Sequence, residues 1–133
     1  MSLRKAHIDE ITAYNAVDGR LRWHPVRHHL DVQAFGTNAY TAKNAGDMVV
    51  EPHEEEQDEE LYVVVTGAAR FTVDGETFDA PPGTLVFVTP PSRREAYATE
   101  ANTTVFAVGG VPGRAFEVSH WEKRWVKEAE PAD

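Results

Sequence analysis

From Leu61 to Val108 the chain is a succession of short branched and aromatic runs, each ended by glycine or proline. Such side chains fit a pleated, half-buried surface and favour strands. LYVVVT reads as a central strand ended by Gly67, and Ala68–Val73 returns from it. Asp74-Gly75, flanked by FTV and ETF, is a strong hairpin signal. Ala80-Pro81-Pro82-Gly83 makes a corner, TLVFVT another buried strand, and Pro90-Pro91-Ser92 another break. Strands at Arg94–Thr99 and Thr103–Val108 follow, joined by a polar turn around Asn102. Upstream, Asp31–Thr41 favours a strand, with Val32, Phe35, Thr37 and Tyr40 to pack and Asn44-Ala45-Gly46 to turn. With no helical period between them, these elements predict an all-β sandwich or barrel.

The flanks follow other rules. Leu3, His7, Ile8, Ile11 and Tyr14 recur at spacings that suit one helical face, before a turn at Asp18-Gly19. In LRWHPVRHHLDVQAF, Pro25 favours extended structure at His24, and the adjacent His28 and His29 would point to opposite faces of a strand. Surface or supporting roles are expected for these three histidines ahead of metal ligation. Ser119 and Glu122 form a capping box that opens a helix over about 119–129. It carries Trp121 and Trp125 one turn apart, to cover apolar surface of the barrel or of a partner subunit, and a frayed tail follows. One domain is expected over 1–133, with its barrel core at about 30–110.

Charge gathers in one place. Seven of the ten residues from Glu51 to Glu60 are acidic, against a net charge of −9 for the chain, so the acidity is local. The block is either a solvated loop or a convergence of carboxylates on something, with His53 inside it. The negative balance argues against nucleic acid, and no apolar run is long enough to span a bilayer. Without cysteine there is no disulfide, thiolate metal site or cysteine nucleophile. No signal peptide is read at the N-terminus, and a cytoplasmic protein acting on a small molecule is expected.

These residues resemble the cupin superfamily, small double-stranded β-helix (jelly-roll) barrels with two short signature motifs. The first motif has a glycine, two histidines one residue apart, a glutamate, and a second glycine seven residues after it. Glu60 and Gly67 keep that last spacing, His53 stands where the first histidine belongs, and Gly46 lies one residue upstream of the common form. The second motif runs from a Pro-Gly corner through a buried strand to a proline turn and a third histidine. Pro82-Gly83, TLVFV and Pro90-Pro91 supply all but the histidine. The resemblance covers roughly residues 30–110 and implies the barrel, an internal pocket and a homodimer.

Metal-binding members of that family offer three histidines and a glutamate, and this chain departs from them. Glu55 occupies the second histidine's place and Arg94 the third's. A guanidinium has no lone pair to give a metal and adds a repelling charge, whereas its fork of donors suits a carboxylate. Strand alternation places Tyr62 and Val64 on Glu60's face, and Ala96 and Ala98 on Arg94's. The expected pocket therefore holds His53, Glu55, Glu60, Tyr62 and Arg94, with Arg94 paired to Glu60 or holding an anionic ligand next to it, and Arg94 and Glu55 as the ligand-binding residues. Three functions stay open. One is a metal-independent pocket for isomerase- or cyclase-type proton transfer, with His53 as base and Glu60 or Tyr62 as acid. Another is a manganese or iron enzyme using His53, Glu55 and Glu60, with oxygenase or isomerase chemistry. The last is a ligand sensor.

Overall fold

The computed structural model describes residues 3–132, and the turns of the sequence fall where its strands end. Among the described residues eleven strands follow one another: β1 (Tyr14–Ala16), β2 (Leu21–His24), β3 (Gly36–Ala42), β4 (Met48–Glu55), β5 (Glu59–Thr66), β6 (Ala69–Val73), β7 (Glu76–Ala80), β8 (Leu85–Val88), β9 (Ser92–Ala98), β10 (Thr103–Gly110) and β11 (Glu130–Pro131). Helix α1 (Val26–Leu30) separates β2 from β3, and α2 (His120–Glu128) precedes β11. The strands form one curled sheet in the order β7-β6-β9-β4-β2-β3-β10-β5-β8, with β1 joined to β2 and β11. The result is an all-β jelly-roll barrel with short helices.

Alternation fills the barrel. On β5, Tyr62 and Val64 are buried while Val65 faces out, and on β9 Arg94, Ala96 and Ala98 are buried. They meet Val50, Phe71, Val86 and Val105 in one core, where the rings of Tyr62 and Phe71 lie 5.8 Å apart. A second core forms outside the barrel. Trp23 packs edge-on against Trp121 (5.8 Å) and Trp125 (5.4 Å), so both α2 tryptophans cover this chain's own barrel. Ser119 caps α2 by accepting the Glu122 N–H, which is half of the expected capping box, while the Glu122 carboxylate turns to Arg27 instead of the Ser119 backbone. The buried Arg27 Nε donates to Glu122 Oε2 at 2.6 Å and ties α2 to α1.

Four local expectations change. The helix expected over 3–14 is a single 3-10 turn, Ile8–Glu10, because Tyr14 onward is drawn into a hairpin with β2 through Asp18-Gly19. His28 and His29 lie exposed on α1 and not on a strand. The strand predicted from Asp31 starts at Gly36, leaving Phe35 exposed. The tail pairs with β1, and the Ala132 N–H donates to the Ala13 carbonyl.

Gly67, at φ +70°, closes the turn between β5 and β6 against Thr103. A Cβ there would run into Thr103 Oγ1 and stand 2.6 Å from its Cα. Gly67→Ala is therefore expected to lower unfolding free energy by at least about 2 kcal/mol, combining left-handed strain with overpacking. Gly75→Ala, at φ +83° with open space around it, should lose only about 1 kcal/mol. Urea denaturation of the pair checks this, and equal losses would remove Thr103 from the account.

Candidate functional site

The β-ladder brings the motif residues to one end of the barrel. His53 on β4 pairs in register with Arg94 on β9, so both side chains enter from one wall, while Glu60 and Tyr62 enter from β5. Glu60 is the hub. Its Oε1 lies 3.2 Å from His53 Nε2, accepts the Tyr62 hydroxyl at 3.0 Å, and stands 3.7 Å from Arg94 Nη1. Glu55 Oε1 also reaches His53 Nε2, at 3.2 Å. All five residues of the expected pocket thus meet. Arg94 is fully buried, and none of its guanidinium nitrogens has a hydrogen-bond partner among the described residues. Glu54 and Glu56, by contrast, face solvent.

The ring of His53 imposes a charge requirement. Its Nδ1 lies 2.7 Å from the Glu51 carbonyl oxygen, which only accepts, so Nδ1 carries a proton. Nε2 then faces two carboxylate oxygens, which also only accept. A proton must lie between them, on the ring or on a carboxyl, or a metal ion must take its place. In the protein alone, burial works against protonation of His53, but the hydrogen bonds to Glu55, Glu60 and the Glu51 carbonyl outweigh it and raise its pKa to about 10. Burial likewise pushes Glu60 toward neutrality, yet His53, Arg94 and Tyr62 together hold its carboxyl below the usual range. Burial and the Glu60 charge push the Tyr62 hydroxyl well above 10.0.

A pH dependence follows. His53, raised from 6.5 to about 10, contributes stability that is complete below pH 6.5 and lost as pH rises through 10. Glu60, depressed from 4.5, contributes above that pH and loses its share on acidification. In chelator-treated protein the denaturation midpoint should fall between pH 6.5 and 10 by more than in His53→Gln. Parallel profiles for the two proteins would show that no stabilising proton sits on this ring.

Two neighbours were not legible as site residues. Tyr40, which the sequence offered only as a packing residue, is driven well above 10.0 by burial and then by Glu60, Glu51, Glu122 and Glu55. Gly109 on β10 lies opposite Glu60, and a Cβ there would stand 3.1 Å from Glu60 Cγ. Of the earlier histidines, His24 is buried, its Nδ1 against the Ile11 carbonyl and its Nε2 2.8 Å from Thr41 Oγ1, away from this cluster. A cavity of about 60 Å³ that Glu60 lines lies between β3, β10 and the segment leading into α2.

The family model of the AraC-like ligand-binding domain matches residues 38–127, which includes every residue of the cluster. The chain belongs to this family, and with it to the cupin superfamily. Solved structures agree on the fold. A cupin protein from Bacteroides fragilis is 15% identical, covering 87% of this chain and 90% of its own, with a TM-score of 0.64. A predicted oxalate decarboxylase from Thermotoga maritima is 16% identical over 81% of this chain and 99% of its own, at 0.65. A sugar phosphate isomerase of the cupin superfamily from Silicibacter pomeroyi is 19% identical over 80% and 74%, also at 0.65. No curated protein matches the sequence. No helix of this ligand-binding domain is long and apolar enough to cross a membrane among the described residues.

Proposed function

We propose that this domain binds a small molecule at the Glu60 end of its barrel and acts there by proton exchange without a metal. The observation that carries the reading is the convergence of His53 Nε2, the Tyr62 hydroxyl and Arg94 on one oxygen of Glu60. Two hydrogen bonds and a guanidinium 3.7 Å away, all on one oxygen, favour an ionised Glu60 beside a doubly protonated His53. The hydrogen bonds therefore favour an exchange of the roles first expected from the sequence, with His53 the acid and Glu60 the base. Tyr62 donates to Glu60 and orients it. Arg94 supplies the buried positive charge that keeps Glu60 ionised when His53 gives up its proton.

A second reading rests on a different observation. One ligand atom each from His53, Glu55 and Glu60 lies within 4.8 Å of the others, which fits a chelate. One imidazole and two carboxylates would hold a hard divalent ion such as manganese or ferrous iron, and such an ion supplies Lewis acidity. Metal analysis of protein purified without chelator separates the two readings. A stoichiometric ion lost in His53→Ala would overturn the first. A thermal-shift screen on chelated protein follows, since ligand raises apparent stability. A hit recovered unchanged after long incubation would leave a sensor and remove the proton exchange.

The cytoplasmic homodimer without nucleic-acid contact expected from the sequence remains part of this proposal. With Trp121 and Trp125 spent on the barrel, pairing would use another face, for which the exposed Leu85 and Phe87 of β8 are suited. Sedimentation velocity of Leu85→Lys/Phe87→Lys against the native chain tests that face.

A further inference from the structure

Beside Glu60 the barrel wall lacks side chains. Across β3, β10 and β5 one cross-strand row reads Gly36, Gly109, Glu60. Two adjacent glycines leave bare backbone where a sheet would ordinarily carry two side chains. The space they leave is part of the cavity of about 60 Å³, which Glu60, Asp58, Asn38, Phe116 and Glu117 also line. At roughly 10–15 Å³ of such volume per water, it holds about four waters, or a group of a few heavy atoms.

Phe116 closes the space from outside. Its Cε1 lies 3.2 Å from where a Gly36 Cβ would be. On the inner side, a Gly109 Cβ would stand 3.1 Å from Glu60 Cγ and 3.7 Å from Oε2. The second oxygen of Glu60 is thus turned toward this row, while Oε1 is taken by His53 and Tyr62. Carboxylates supply every charge that lines the cavity. Asp58, Glu60 and Glu117 meet no lysine or arginine there, and Glu122 is neutralised from behind by Arg27. Arg94 has no exposed surface and does not line this cavity.

We infer that the Gly36–Gly109 cavity is the subsite for the ligand's cationic group, a small protonated amine that meets Glu60 Oε2. An ammonium has three donors and no acceptor, which matches the carboxylates that line the cavity beside Phe116 and Trp121. Gly36 and Gly109 determine specificity by keeping the space open. The inference rests on the proposed function only in placing the ligand at Glu60.

Backbone amide shifts of the whole chain, titrated with methylammonium and ethylammonium chloride against sodium chloride, test it. The amides of Gly36, Gly109 and Phe116 should move with a midpoint of about 10 mM, as expected of two or three heavy atoms. Gly109→Ala should weaken that response at least about fivefold, and Gly36→Ala, which crowds chiefly the outer edge of the Phe116 ring, should do so less. Sodium acetate should move none of them. Equal shifts with acetate, no shift with either amine up to about 100 mM, or an unchanged midpoint in folded Gly109→Ala would each overturn the subsite. A thermal-shift hit that moves His53 and leaves these amides still would sink the subsite alone. If neither amines nor screening hits perturb the His53–Glu60 cluster, the proposed function falls with it.

Discussion

Arg27→Ala should destabilise the domain by about 3–5 kcal/mol, because it leaves the Glu122 carboxylate buried without its partner. Arg27 Nε donates to Glu122 Oε2 at 2.6 Å and Nη1 to the Val32 carbonyl at 2.9 Å, with the two side chains only 9% and 4% exposed. The pair itself is not the source of the loss. Desolvating two ions costs about what their attraction returns, so a double change to apolar residues of similar volume, Arg27→Met with Glu122→Leu, should recover most of the stability. Urea denaturation followed by tryptophan fluorescence reads this directly, since Trp121 and Trp125 of α2 pack on Trp23. A loss below about 1 kcal/mol in Arg27→Ala would mean that α2 is held by its tryptophans alone. The same variant reports on the site, because Phe116, Glu117, Ser119, Trp121 and Glu122 wall the cavity beside Glu60. Loosening α2 should weaken amine binding there, even though Arg27 touches no part of the His53 cluster.

The barrel was legible from Leu61 to Val108 for a physical reason. Tight turns such as Asp74-Gly75 need backbone conformations that few residues accept, and branched side chains between them have little use outside a sheet. Strand β4 escaped notice because its second half, Glu51 to Glu55, is carboxylate and imidazole where a strand pattern would show apolar alternation. Those polar side chains face one another and a partly open barrel end, so function overrides pattern there. The N-terminal spacing of Ile8, Ile11 and Tyr14 suits a helix as well as a turn followed by a strand, and only pairing of β1 with β2 decides. His53, Glu55, Glu60 and Arg94 were found because motif spacing travels along the chain. Tyr40 and Gly109 were not, because β3 and β10 reach Glu60 only through cross-strand register, for which the sequence carries no local signal.

Arg94 stands where the family motif carries its third histidine, and replacing it should strengthen metal binding at His53, Glu55 and Glu60. Arg94→His removes a cation 3.7 Å from Glu60 Oε1 and offers a ring nitrogen at the position opposite His53. At an effective dielectric of about 20, a unit charge about 4 Å from another is worth about 4 kcal/mol. Half of that, allowing for a site partly open to solvent, already gives an affinity gain for Mn²⁺ of about 30-fold, and a fourth protein ligand beside His53, Glu55 and Glu60 should carry it to at least about 100-fold. Arg94→Met is the control that separates the two contributions, since it removes the charge without adding a donor and should fall between the native chain and Arg94→His. It should also fold at least as stably as the native chain, because it deletes three buried nitrogens that lack hydrogen-bond partners. Titration with Mn²⁺ followed by electron paramagnetic resonance gives the affinities. Equal binding by all three proteins would show that Arg94 does not govern metal access, and its place beside Glu60 would then need another explanation. A graded increase from arginine through methionine to histidine would show that this one guanidinium sets the metal affinity of the site.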